Sequence, residues 1–197
     1  MAVREIQTPL DETTVRSLRV GDEVFLSGLV VTARDVAHKY LVEKKPVSLR
    51  PLLRGAALYH CGPVMKKERS RWKAVSAGPT TSIREEPYTA DVMQAYRVRA
   101  IIGKGGMGPR TLEACRRFGA VYLHAVGGAA VSLAKCVVRV RDVQKLEEFG
   151  MPEAFWFFEV ESFPTVVTMD ASGASLHAEI AARSHMALER FLGRAIR

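Results

Sequence analysis

Two stretches of the 197-residue chain hold residues that could act on a small anion. Gly78-Pro79-Thr80-Thr81-Ser82-Ile83-Arg84 is answered about twenty residues later by Gly103-Lys104-Gly105-Gly106. Together they present hydroxyls, an arginine and a lysine beside glycines, which let a ligand come close to the backbone. Each follows an apolar run that reads as a strand, residues 74–77 and 100–102, and each precedes a helical pattern, residues 88–96 and 109–118. Loops at such strand ends can be shaped for binding without disturbing a core. A third group is Arg34, in the first turn of a helix expected over residues 33–44, with Thr32 as its N-cap. A helix N-terminus offers free N–H groups to an anion, and its dipole disfavours an arginine there unless a negative group is near. His38 lies four residues on, along the same helix face.

The remaining pattern must position these groups. Strands are expected at residues 23–31, 56–60 and 72–77, followed from residue 88 by alternating helices and strands: helix 88–96, strand 98–102, helix 109–118, strand 120–126. That alternation favours parallel pairing through right-handed crossovers. Residues 154–160 and 165–170 read as two strands of a hairpin around 161–164, and residues 177–195 as a helix whose Ile180, Ser184, Leu188 and Phe191 would pack. One domain over residues 1–197 is expected, with neither internal repeat nor linker.

Composition narrows the function classes. With 48% hydrophobic and 25% charged residues, the chain has the make-up of a globular protein, and no apolar run reaches membrane-spanning length. The first residues lack a signal-peptide core, which makes a cytoplasmic location the expectation. A formal net charge of +8 draws anions, but the cations are scattered and do not by themselves specify nucleic acid. The odd count of three cysteines argues against a disulfide framework, and their spacing gives no metal site.

Two motifs suggest nucleotide or nucleic-acid binding. Gly103-Lys104-Gly105-Gly106-Met107-Gly108 matches Gly-x-Gly-x-x-Gly, but no acidic residue ends the next strand at Tyr122-Leu123-His124-Ala125-Val126. Ile101-Ile102-Gly103-Lys104-Gly105-Gly106 resembles a KH loop for single-stranded nucleic acid, but Gly108-Pro109 delays the helix that should follow.

The ordered set of motifs points elsewhere. Val20-Gly21-Asp22-Glu23-Val24, Thr32-Ala33-Arg34-Asp35-Val36-Ala37-His38 and His60-Cys61-Gly62-Pro63 come first. The threonine loop and the lysine turn follow, then Tyr122-Leu123-His124-Ala125-Val126-Gly127-Gly128-Ala129-Ala130 and Phe163-Pro164. From about Leu18 to Leu176 the chain resembles the β subunit, or C-terminal domain, of class I (iron–sulfur) fumarase and the related L(+)-tartrate dehydratase.

The resemblance implies an α/β fold of swivelling β/β/α type, with a central parallel sheet, a second sheet and packed helices. It implies a hydro-lyase subunit, most readily fumarate hydratase of the tricarboxylic acid cycle, acting on a dicarboxylate. Arg34, Arg84 and Lys104 then correspond to substrate-binding residues, and Thr80 and Lys104 to catalytic ones, with His38 and Thr81 in support. It further implies a [4Fe–4S] cluster held by a cluster-binding α subunit and not by this chain, in a hetero-oligomer such as a dimer of αβ units. No specific nucleic acid and no membrane partner are implied. The family usually has Met-Asp after the loop arginine, where this chain has Glu85-Glu86.

Overall fold

The computed structural model describes residues 2–195. The elements run β1 (Val3–Gln7), α1 (Glu12–Ser17), β2 (Glu23–Thr32), α2 (Asp35–Lys44), a short 3-10 turn, α3 (Arg50–Leu53) and β3 (Ala57–Tyr59). A hairpin of β4 (Val64–Glu68) and β5 (Arg71–Ser76) precedes α4 (Glu86–Tyr96), β6 (Ala100–Gly103), α5 (Pro109–Phe118) and β7 (Val121–His124). The chain ends with α6 (Ala130–Lys135), β8 (Val137–Gln144), α7 (Leu146–Phe149), β9 (Phe155–Met169) and α8 (Leu176–Ala195).

Strands β1, β2, β3, β6 and β7 lie side by side in parallel. Strand β9 runs antiparallel to β7 and also pairs with β2, so β2, β3, β6, β7 and β9 close into a ring. Strand β8 continues the sheet beyond β9, and β4 with β5 makes the second, two-stranded sheet. The expected α/β architecture, with a parallel sheet, a second sheet and packed helices, is what the chain adopts.

Period-two alternation sorts the ring's side chains. Val24, Leu26, Val30, Tyr59, Ile102 and Leu123 point into the ring and form one core. Their neighbours Val31, Leu58, Ile101 and Tyr122 face outward and form a second core with helices α2, α4 and α5. Both faces of these strands are buried, which is why they read as continuous apolar runs.

Three expectations need correction. The predicted hairpin over 154–170 is one continuous 15-residue strand. It must be long because it pairs with β8 and β2 in its first half, and with β2 and β7 in its second. Thr32 does not cap α2: its hydroxyl donates to the Ala154 carbonyl at 3.1 Å and accepts from the Trp156 N–H at 3.0 Å, binding β2 to β9. The cap position is Arg34. Helix α8 forms, but Ile180, Leu188 and Phe191 are 54%, 53% and 71% exposed, so the described residues leave most of that apolar face uncovered. Among the described residues no helix is long and apolar enough to cross a membrane.

Candidate active site at the strand ends

The candidate residues gather at the C-terminal ends of the parallel strands, where open α/β sheets offer their binding crevice. Arg34 follows β2, His60-Cys61-Gly62 follows β3, Lys104 follows β6, and His124 ends β7. The threonine loop arrives from the second sheet and is stitched across them. The Thr80 N–H donates to the His60 carbonyl at 2.7 Å, and the Ser82 N–H donates to the Lys104 carbonyl at 3.1 Å. Thr81 and Lys104 form a parallel bridge, and Cys61 and Pro79 an antiparallel one. The Thr80 hydroxyl also donates to the His60 carbonyl, at 3.1 Å. Its hydrogen therefore points inward, leaving its lone pairs for an outside group.

Cations form the rim. Arg84 holds Asp35 in a fork–fork ion pair, with Nε 3.1 Å from Oδ1. Arg34 lies 3.9 Å from the same carboxylate and 3.4 Å from Glu153. The two arginines are thus brought to one spot by Asp35. The anion expected near Arg34 is present twice over, and Glu153 also accepts the Val36 N–H in the first turn of α2 at 3.1 Å. Arg34 runs across Gly62, where a Cβ would stand 2.6 Å from its guanidinium; that explains the glycine of His60-Cys61-Gly62-Pro63. Lys104 is half-buried, makes no ion pair among the described residues and passes beside Gly127.

Beneath the rim lies a buried polar bed. His38 and His60 are wholly buried, their ring centroids 5.0 Å apart and nearly perpendicular. Ser82 Oγ sits 2.8 Å from His60 Nδ1 and 2.9 Å from the Tyr122 hydroxyl. Burial, only partly offset by the Arg34 carbonyl and by Asp35, holds His38 down to about 4. Burial and then the neighbouring His38 put His60 far below the ordinary histidine value. Both rings are neutral near pH 7. Glu85 is buried as well, and burial and then Asp35 push its carboxyl up to about 7, against its own backbone, Arg84 and Arg34. Tight packing allows no side chain at Gly103, where a Cβ would lie 1.8 Å from Ser82 Oγ.

Glu86 answers the departure in the loop. Its carboxylate accepts from the N–H groups of Gly108, Arg110 and Thr111 at 2.9, 3.0 and 3.2 Å and from the Thr111 hydroxyl. It therefore caps α5. The Gly-x-Gly-x-x-Gly stretch does run from a strand into a helix, but a side chain already fills the place a pyrophosphate would take.

His60, Ser82, Tyr122, Glu85 and Glu153 are site residues that pattern reading does not pick out. His60, Ser82, Glu85 and Tyr122 each stand within a quoted motif, which marks the stretch but not the residue's role, and Glu153 stands in none. Their roles come from tertiary packing. His124 carries the same kind of signal as His60: it is paired in register with Gly103, beside Lys104. Helix α8 begins here too, with His177 packed on Gly106.

Cys61 and Cys115 are buried and Cys136 half-buried, and burial raises all three thiols, Cys115 to about 12. No group of three or more His, Cys, Asp or Glu among the described residues could hold a metal ion.

Residues 2–180 match the family described as Fumarase C-terminus. The chain belongs to this family. A Geobacillus stearothermophilus protein named as a class I fumarate hydratase is 49% identical over 94% of this chain, which spans only 36% of that relative. A Methanocaldococcus jannaschii protein named as the β subunit of L(+)-tartrate dehydratase is 41% identical over 93% of this chain and 96% of its own length. The L(+)-tartrate dehydratase β subunit of Escherichia coli K12 is 39% identical over 88% of this chain and 86% of its own length. As a fumarase C-terminus chain, the protein is a hydro-lyase subunit by family, and its α8 runs fifteen residues past the matched region.

Proposed function

We propose that this chain supplies the dicarboxylate-binding half of a hydro-lyase site, completed by an α subunit that carries a [4Fe–4S] cluster, and that the reaction is the reversible hydration of fumarate to malate. The observation that supports this best is the meeting of Arg34 and Arg84 on one carboxylate, Asp35, at the end of a loop whose Thr81, next to Thr80, is bridged to Lys104. A dicarboxylate carries two groups of the kind Asp35 already offers. One replaces Asp35 on the Arg84 fork, and the other takes the remaining cations. Bidentate guanidinium–carboxylate pairing fixes both position and angle.

Removing a proton beside a carboxylate drives charge onto that carboxylate, so a gripping cation stabilises the transition state more than the ground state. Thr80 offers lone pairs at a fixed place, because its own hydrogen is held by the His60 carbonyl. As a neutral hydroxyl it is a weak base.

L(+)-tartrate is the second candidate substrate, supported by the two relatives of comparable length that bear that name. Anaerobic reconstitution with the cluster-bearing α subunit tests the proposal, with kcat/KM measured for fumarate and for L(+)-tartrate. Activity is expected only from the mixture. Thr80→Val should depress kcat far more than it raises KM, and Arg34→Ala should damage KM as well. Hydratase activity of this chain alone, or none in the mixture with either substrate, would reject the reading.

A further inference from the structure

Much of the chain's positive charge is gathered on two strands outside the candidate site. Residues 64–76, which form the β4–β5 hairpin, and strand β8 together hold seven lysines and arginines against two acids, more than half of the net +8. A cleft of about 580 Å³ lies between them, lined by residues 70–72 and 138–143. A smaller one of about 260 Å³ continues it along residues 71–74 and 137–140, with Glu68 at its side. Consecutive residues of a strand show opposite faces, so a cleft that they line in unbroken order follows strand edges, not a sheet face. Both edges are open: β8 ends the large sheet, β5 pairs only with β4, and no backbone hydrogen bond joins β5 to β8.

Charges of either sign on an edge strand keep other strands away. Here the two banks carry one sign. Arg71 and Lys73 on β5 and Arg139 on β8 are exposed and make no ion pair among the described residues, whereas Arg141 holds Glu159 and Glu68 is taken by Lys66. Like charges on facing strands are destabilising, so an anion between them is favoured. The floor is apolar: Trp72, Val140 and Val143 line the cleft and pack against the core, Trp72 edge-on to Trp156 at 5.2 Å. We propose that this cleft takes an extended acidic segment of another polypeptide, added as a third strand on the open edge of β5. Strand β5 is the template because its register with β4 is unbroken over Arg71–Ala74, whereas β8 carries two irregularities against β9. The added strand meets the edge with its own N–H and C=O groups, the cations with its acids and the floor with its apolar side chains. A nucleic acid offers the charge without that ladder. The inference stands apart from the hydro-lyase reading.

The probe is a labelled peptide of about eight residues alternating glutamate and valine, titrated into the full chain and read by fluorescence anisotropy. Binding should fall as salt rises and weaken about tenfold or more in the double variant Arg71→Glu, Arg139→Glu. N-methylating alternate residues of the peptide, in the set that faces β5, removes backbone donors but keeps every side chain, and should also weaken binding about tenfold. On the wild-type chain, bound peptide should slow amide hydrogen exchange at residues 71–74, a readout that decides the matter even if the double variant fails to fold. Four results would overturn the proposal: no binding up to about 1 mM peptide; unchanged affinity after methylation; no slowing of exchange at residues 71–74; or equal or tighter binding of an oligothymidylate of the same charge, which would make the cleft a general polyanion surface.

Discussion

The rim and the bed of the candidate site are built from opposite materials. At the rim, Arg84 is 54% exposed and its partner Asp35 31% exposed, so water screens the pair and another carboxylate can replace it. A few ångströms inward, His38, His60, Ser82 and Glu85 are at most 1% exposed. There, burial disfavours charge: both histidines are lowered and the Glu85 carboxyl is raised to about 7. The rim is a set of charges that can exchange partners. The bed is a buried set of polar groups in which the Tyr122–Ser82–His60 hydrogen bonds would be lost if it moved. Specific chemistry needs both: exchangeable grips on a support that fixes their position.

The largest effect should come from placing a methyl group in the bed. Gly103→Ala sets a Cβ 1.8 Å from Ser82 Oγ and 3.0 Å from the Tyr122 hydroxyl. Either β6 shifts or the Tyr122–Ser82–His60 hydrogen bonds break. A loss of more than about 3 kcal/mol in chemical denaturation is expected, from overpacking plus unpaired buried polar groups. Wild-type stability in this variant would show that the bed is loosely held, and the contrast with the rim would collapse.

Glu85→Gln sharpens the comparison through pH. The Glu85 carboxyl is raised from 4.5 to about 7, so the folded chain binds its proton more tightly than the unfolded chain does. Its contribution to stability is complete below about 4.5 and is lost as pH rises through 7, an effect of up to about 3 kcal/mol. The glutamine variant, which cannot ionise, should gain about 1–3 kcal/mol relative to wild type between pH 5 and pH 8 in urea melts. His38 slopes the other way. Its value is lowered from 6.5 to about 4, so its contribution is present above 6.5 and fades as pH falls toward 4. Equal pH profiles for wild type and Glu85→Gln would place Glu85 in solvent contact, outside the bed.

This division explains what could be read in the chain before its fold was seen. The parallel strands were legible because residues such as Ile101-Ile102 and Val121–Leu123 are buried on both faces and stand as apolar runs between glycine turns. The rim was legible because chemically distinctive residues sit in short motifs at those turns. The bed was not. Tyr122 reads as one more apolar strand residue, and Ser82 as one more hydroxyl, until the ring brings β7 against the threonine loop and joins the two at 2.9 Å. Strand β9 was misread because Glu161-Ser162-Phe163-Pro164 has turn composition; it does break the register, with Ser162 at φ 47°, but pairing with β2 resumes at Phe163, so the break is a bulge and not a hairpin turn. The packing expected of α8 failed for another reason: helical spacing shows that an apolar face exists, not that this chain covers it.

The smallest expected effect is at the rim, and it separates the two regions most directly. Arg84→Ala deletes the fork on Asp35, an exposed pair whose Coulomb attraction is screened and offset by the entropy of holding a long side chain. The isolated chain should change in stability by less than about 1 kcal/mol. Arg84→Lys should be closer still to wild type, since a point charge beside Asp35 keeps most of what remains. In the reconstituted enzyme the same two variants should diverge: alanine loses the carboxylate grip outright, and lysine keeps the charge but not the paired hydrogen bonds. Measured side by side, the urea midpoint and KM should therefore move independently. A loss of more than about 2 kcal/mol for Arg84→Ala in the isolated chain would mean the Asp35 pair holds α2 to the threonine loop. In that case the arginine is part of the support, and the exchangeable grips of this chain reduce to Arg34 and Lys104.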